Sequence, residues 1–202
     1  MSEPVLAPVL IDLSPTRLAA PGTARVIGNF VLFQIAWFAC VLGAAHDMAW
    51  LGVLVIALVC SWHCSISIRS KPELYLILAA MLVGAVWESA LVSASLMHYT
   101  YGTLVDGLAP PWIVAMWALL AMTLNVSMRW LKNRWLLAAV MGAIAGPMSF
   151  LAGQRLGAAT FTGGTHTVVT LSMGWAVLMP LMMWLSQRYD GVVPTDEGFD
   201  HV

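Results

Sequence analysis

Apolar residues run through this chain in six long blocks, separated by short polar, proline-bearing or glycine-bearing breaks. The hydrocarbon core of a bilayer takes about 20 consecutive apolar residues of helix. Blocks of that order predict spans at 26–45, 48–68, 73–97, 111–128, 135–158 and 167–187. The breaks agree with this division. Arg69-Ser70-Lys71-Pro72 is a polar hinge, and Pro72 favours a helix start just beyond it. Pro110-Pro111 opens the fourth span in the same way, Asn133 and its basic neighbours end it, and Gly163-Gly164 precedes the sixth. Within the fifth span, Gly146-Pro147 predicts a kink, because proline lacks the amide hydrogen that the preceding turn needs.

Composition turns these blocks into membrane helices. Sixty per cent of the 202 residues are hydrophobic and 9% are charged, against roughly a quarter charged in a soluble domain. So few ionic side chains cannot clothe a water-soluble particle of this size. The formal net charge of −1 excludes an electrostatic nucleic-acid binder. Three cysteines, all inside apolar runs, form neither a disulfide framework nor a spaced zinc ribbon. The expected fold class is therefore all-α: a polytopic bundle of six transmembrane helices.

Basic residues set the expected orientation. Arg17, Arg25, Arg69, Lys71, Arg129, Lys132, Arg134 and Arg188 fall on one side of that topology and only Arg155 on the other. The positive-inside rule then makes both termini cytoplasmic. Trp130, Trp135 and Trp184 fall at the inner boundary and Trp50 and Trp112 at the outer one, as interfacial anchors would. Residues 1–25 carry four prolines and no helical period, so they read as a mobile cytoplasmic arm. The first apolar run begins too late and runs too long for a signal peptide. Residues 26–188 form the membrane domain, and 189–202 read as an acidic, solvated tail.

With the spans in place, particular residues become recognisable. Asn29-Phe30, Gln34, Trp37-Phe38 and Val41-Leu42-Gly43 are followed by Pro110-Pro111-Trp112, Trp117, Thr123-Leu124-Asn125 and Trp130-Leu131. Gly142, Gly146-Pro147, Gly153 and Leu156-Gly157-Ala158 complete the set. The pattern resembles a family of bacterial inner-membrane proteins, the domain of unknown function 2878, over about residues 28–160. An Asp often stands in that family where this chain has Glu88. The resemblance implies a multi-pass inner-membrane protein with no established activity. Relatives are often encoded near enzymes that modify membrane fatty acids, including methyltransferases similar to cyclopropane-fatty-acid synthase. It therefore implies membrane lipid, and lipid-modifying membrane proteins, as partners.

Polar residues inside spans are the candidate chemistry, since each must find a partner or water. At about 1.5 Å of rise per residue, Asn29, Asn125 and His63 form an inner layer some 5–8 Å from the cytoplasmic side. They read as structural, bridging helices by hydrogen bonds. Glu88 lies roughly 22 Å in and Arg155 about 30 Å in, by the same rise. With Gln154 they form a candidate intramembrane polar site in which Glu88 is neutral, paired, or open to a water-filled cavity. An ion pair with Arg155 would lock the third helix to the fifth. Cys60, His63 and Cys64 share one helix face, where core packing outweighs metal ligation for want of a fourth ligand at that depth.

The outward loops hold His46, Asp47, His98, Asp106 and His166, with Tyr99 and Tyr101 nearby. A carboxylate–imidazole cluster there is a candidate metal or hydrolytic site, although no HExxH-type spacing supports it and no cofactor is assigned. Gly142, Gly146, Ser149, Gly153 and Gly157 form a small-residue stripe that reads as the packing face of a central fifth helix.

Three functions remain open. The first is a non-catalytic lipid-binding or scaffolding component linked to fatty-acid or envelope modification. The others are an integral membrane enzyme acting on a lipid at the outer leaflet, and a small proton-coupled transporter. An enzyme would line an outward-facing pocket with Glu88 and Arg155; a transporter would join the Glu88 layer to the inner layer by a polar path.

Overall fold

The computed structural model describes residues 21–193. Most of the expected N-terminal arm, 1–20, and of the acidic tail, 194–202, lies outside the described residues. Six helices follow in order: α1 (Thr23–Ala45), α2 (Ala49–Ser65), α3 (Ser70–Ser93), α4 (Pro111–Leu124), α5 (Trp135–Arg155) and α6 (Thr165–Arg188). Each matches one apolar block. α1 reaches back to Thr23, so residues 23–25 belong to the first helix rather than to the arm. α3 begins at Ser70, so Pro72 lies within its first turn rather than ahead of it.

Three short elements among the described residues are not α-helical. A 3-10 turn, Arg129–Leu131, continues the chain after α4, and strands β1 (Met97–Tyr99) and β2 (Ala159–Phe161) pair antiparallel, with Tyr99 opposite Ala159. This small ladder ties the α3–α4 connection to the α5–α6 connection.

Four helices, α1, α3, α5 and α6, are long and apolar enough to cross a membrane. α2 and α4 are apolar but shorter, at 17 and 14 residues. The outer surface is apolar too: Leu82, Val86, Met173 and Val177 each expose at least 66% of their surface. A water-soluble protein hides such side chains or scatters them singly; here they form a belt suited to lipid. The protein is an all-α membrane protein.

The centre of the bundle is α4, with ten of its fourteen residues buried. Pro111 at its first turn costs no hydrogen bond. α4 packs on α1, α2 and α3, while α5 and α6 form a hairpin held chiefly by each other. This corrects the expectation that the glycine-rich fifth helix is central. Gly142 and Gly146 do serve close packing, since a Cβ on either would run into Trp175 of α6. Gly153 faces open space, and Gly157 adopts φ +90 just beyond α5, where it ends the helix. α5 also runs unbroken through Pro147.

Helix ends are closed by local bonds that the sequence provides. Asp47, at φ 59, turns the chain between α1 and α2 while the Met48 amide donates to the Gly43 carbonyl at 2.8 Å. Asp is among the few side chains that adopt this conformation readily. Trp112 departs from its expected place at the outer interface. It is 97% shielded, as its 3% exposure records, and its indole N–H donates to the Tyr101 carbonyl at 3.0 Å.

Candidate functional site

The basic connections and the C-terminal segment meet at one end of the bundle. Glu73, in the first turn of α3, is completely buried. Its Oε2 accepts from His63 Nε2 at 2.8 Å, and its Oε1 accepts from Asn125 Nδ2 at 2.8 Å and from the Gly191 amide at 2.7 Å. Asn29 joins α1 to the end of α4: its Nδ2 donates to the Met122 carbonyl at 3.0 Å, and its Oδ1 accepts from Ser127 at 2.7 Å.

Chain beyond α6 closes this end. The Asp190 carboxylate accepts from Arg129 at 2.6 Å and Lys132 at 2.8 Å, and the Arg69 amide donates to the Gly191 carbonyl at 2.9 Å. The segment 189–192 is therefore a docked strap, which corrects the reading of it as solvated. Burial pulls the Lys132 ammonium below its ordinary pKa, though Asp190 opposes the shift. Burial alone would raise Asp190, but Lys132 and Arg129 outweigh it and hold the carboxyl below its ordinary value.

The inner-layer residues Asn29, His63 and Asn125 thus bridge helices. The network's organiser, Glu73, is missing from the sequence-based reading because it sits at the span boundary, where a charged side chain reads as exposed. A signal exists in retrospect: His63 and Asn125 lie at the same depth and both can donate to a carboxylate.

Toward the other end, Glu88 is also completely buried. Its Oε1 accepts from Trp117 Nε1 at 3.0 Å and its Oε2 from the Tyr99 hydroxyl at 2.7 Å. The β1–β2 ladder aims Tyr99 inward and His98 outward. Burial, and then the adjacent Glu88 carboxylate, push the Tyr99 hydroxyl well above its ordinary pKa, which keeps it a donor. Arg155 is exposed and absent from these contacts. The expected link from the third helix to the fifth is therefore replaced by links to α4 and β1. The reason is position: Arg155 closes the last turn of α5, and Tyr99 and Trp117 already occupy both carboxylate oxygens. Gln154 bears a buried Oε1 with no partner among the described residues and does not reach Glu88.

The residues expected at the outer face, His46, Asp47, His98, Asp106 and His166, are all exposed. Among the described residues no three His, Cys, Asp or Glu side chains come together as a metal-binding group. His46 instead bonds the Leu42 carbonyl of its own helix at 2.8 Å. The Cys60–His63–Cys64 face resolves differently, with His63 committed to Glu73.

Between α1, α4, α5 and α6 lies a cavity of about 430 Å³. Its walls are aromatic and aliphatic: Phe33, Trp37, Trp117, Phe150 and Trp175 among them, with Met and Gly between. Trp117 stacks on Trp175 with centroids 5.1 Å apart. Glu88 is part of that wall together with Trp117 and Tyr99, and its carboxylate fixes both of those side chains. Phe38, Ala145 and Ser149 line the cavity yet are exposed, so its mouth lies between α1 and α5. One hydrogen bond crosses that slit, from Trp37 Nε1 to Ser149 Oγ at 3.2 Å. Lengthwise the cavity follows α5 from Met141 to Gly153, about 18 Å of helix at ideal rise.

No curated protein and no solved structure matches the chain. A family model does: that of proteins of unknown function designated DUF2878, over residues 26–181. The match extends past the motifs into α6. The chain belongs to the DUF2878 family, whose function is unknown.

Proposed function

We propose that this protein is a non-catalytic lipid-binding component of the bacterial inner membrane, holding an apolar chain in the cavity between α1 and α5. The single observation that carries this reading is the cavity itself: apolar, aromatic-walled and open sideways through a slit between two lipid-facing helices. A volume of about 430 Å³ falls within the range of small-molecule sites, roughly 300–1,000 Å³. Arg155 stands away from Glu88, which removes the pair on which a lipid-modifying enzyme would rest. The inner end of the cavity is bounded by Leu120, Met128 and Met141, an apolar floor that does not suit a proton path.

Six crossings with both termini cytoplasmic complete the proposal. α2 and α4 are short for lipid, but α4 is surrounded by protein and need not match the bilayer. The convergence of Arg25, Arg69, Arg129 and Lys132 at one end favours that end as the cytoplasmic face. We assign the protein to membrane fatty-acid or envelope modification, as a partner that presents or stores lipid.

The test is lipid retention. Full-length protein purified in a mild detergent should carry stoichiometric lipid by native mass spectrometry. Brominated acyl chains should quench the cavity tryptophans Trp37, Trp117 and Trp175, and Gly153→Phe, which fills the cavity, should abolish the bound lipid and remove that share of the quenching. Protein that holds no lipid and is quenched equally with the cavity filled would end this reading. An unchanged lipid profile in a deletion strain would end the link to lipid modification.

A further inference from the structure

We infer that the occupant of the cavity is an uncharged acyl ester, whose carbonyl is read at the slit by Gln34 and Ser149. This rests on the lipid-binding reading above and deepens it to a chemical class.

The accessible polarity of the cavity is sparse and neutral. No Lys, Arg, His or Asp lines it, and its one acid, Glu88, is completely buried, with both oxygens already accepting. An anionic group drawn inside would leave its water without finding a counter-ion, which is costly.

Gln34, Trp37, Phe38 and Val41 line the cavity from α1 at steps of three, one and three, so they share one helix face. Trp37 spends its N–H on Ser149 Oγ. Among the described residues Ser149 Oγ only accepts, from Trp37, and the Gln34 amide makes no hydrogen bond to the protein. Gln34 lies one helical turn from Trp37, so both donors stand at the same slit. Gln34 on α1 and Ser149 on α5 line the same cavity, and donors of this kind suit an acceptor with two lone pairs and no hydrogen of its own, such as an ester carbonyl.

Depth decides the charge of the rest of the molecule. Gln34 lies eight residues into the apolar block that opens at Val26, or about 12 Å by helical rise. A carbonyl held there sits below the headgroup layer, and a phosphate or carboxylate bonded close to it would be dragged into hydrocarbon. The ligand is therefore an ester with no charged group beside the carbonyl.

Three probes of equal chain length test this on the full chain in phosphatidylcholine nanodiscs: methyl hexadecanoate, hexadecanoic acid at pH 8, and hexadecane. Binding is read from tryptophan fluorescence. The ester should bind about tenfold tighter than the acid anion, which must shed its water without a counter-ion, and several-fold tighter than the alkane, as one to two hydrogen bonds would give. Gln34→Leu and Ser149→Ala should each bring the ester close to the alkane; Ser149→Ala also removes the acceptor of the Trp37 N–H, so each variant's ester binding is compared with its own alkane binding. Equal binding of ester and alkane to the unaltered protein would overturn the ester proposal and leave the lipid-binding reading intact. Acid binding as tight as ester binding would overturn it too. If none of the three binds, the lipid-binding reading falls with it.

Discussion

The two ends of this bundle each bury one carboxylate, and the contrast between them separates architecture from site. At the end where the basic connections meet, Glu73 is the hub of a closed knot, drawing together α2, α3, α4 and the strap after α6 through His63, Asn125 and Gly191. Toward the other end Glu88 serves only Tyr99 and Trp117, and all three line open volume. A buried acid surrounded on all sides by donors from separate segments fixes a fold. One that shapes the wall of an empty, apolar space sets up a place for something else. Identical side chains thus take different tasks because of what their partners face.

The largest effect expected from this contrast is at Glu73. Glu73→Ala leaves His63, Asn125 and the Gly191 amide without their acceptor and should destabilise the protein by about 3–5 kcal/mol, the range for breaking a buried pair. Thermal unfolding in detergent reads this; a midpoint within a few degrees of the unaltered protein would break the comparison at its strongest point.

Glycine substitutions sharpen it next. Gly142→Ala pushes a methyl group into the Trp175 carbonyl and should cost about 1–3 kcal/mol by overpacking. Gly153→Ala meets open space and should stay within about 0.5 kcal/mol. The same unfolding measurement distinguishes them, and equal losses would mean that the stripe is one packing face after all.

The smallest effect is a matter of pH at the strap. Asp190 is held below its ordinary value in the folded protein. It therefore contributes stability above the ordinary carboxylate range, and that contribution is lost as pH falls through its depressed folded value, below about pH 4. Lys132 is protonated in both states across that window, so its lowered value adds nothing to the acid limb. Asp190→Asn should flatten the decline, measured as unfolding midpoint against pH. An unaltered decline would show that the strap is not held by this charge.

Much of the architecture is legible from the residues because it is local. Each apolar block became a helix, and Pro111, Asp47 and Gly157 end or begin elements where their backbone preferences place them. Asn29, His63 and Asn125 share a depth that rise per residue fixes in advance. Partner choice was not legible. Arg155 matched Glu88 by charge and approximate depth, but rotation about the helix axes put Trp117 and Tyr99 there instead. Trp112, placed at an interface by its position in the chain, turned inward because α4 is the bundle's centre. Tyr99 reached Glu88 only through a three-residue strand pairing with a segment 60 residues later, which no single window of sequence contains.

The sequence by itself determined the class of protein and where the apolar helices of residues 21–193 fall, since length and hydropathy are properties of consecutive residues. The tertiary structure alone decided which acid closes a knot, which joins the wall of a cavity, and that α1 and α5 part to leave a slit. Those outcomes depend on how helices are turned about their axes and which neighbours they meet, and packing between distant segments settles both.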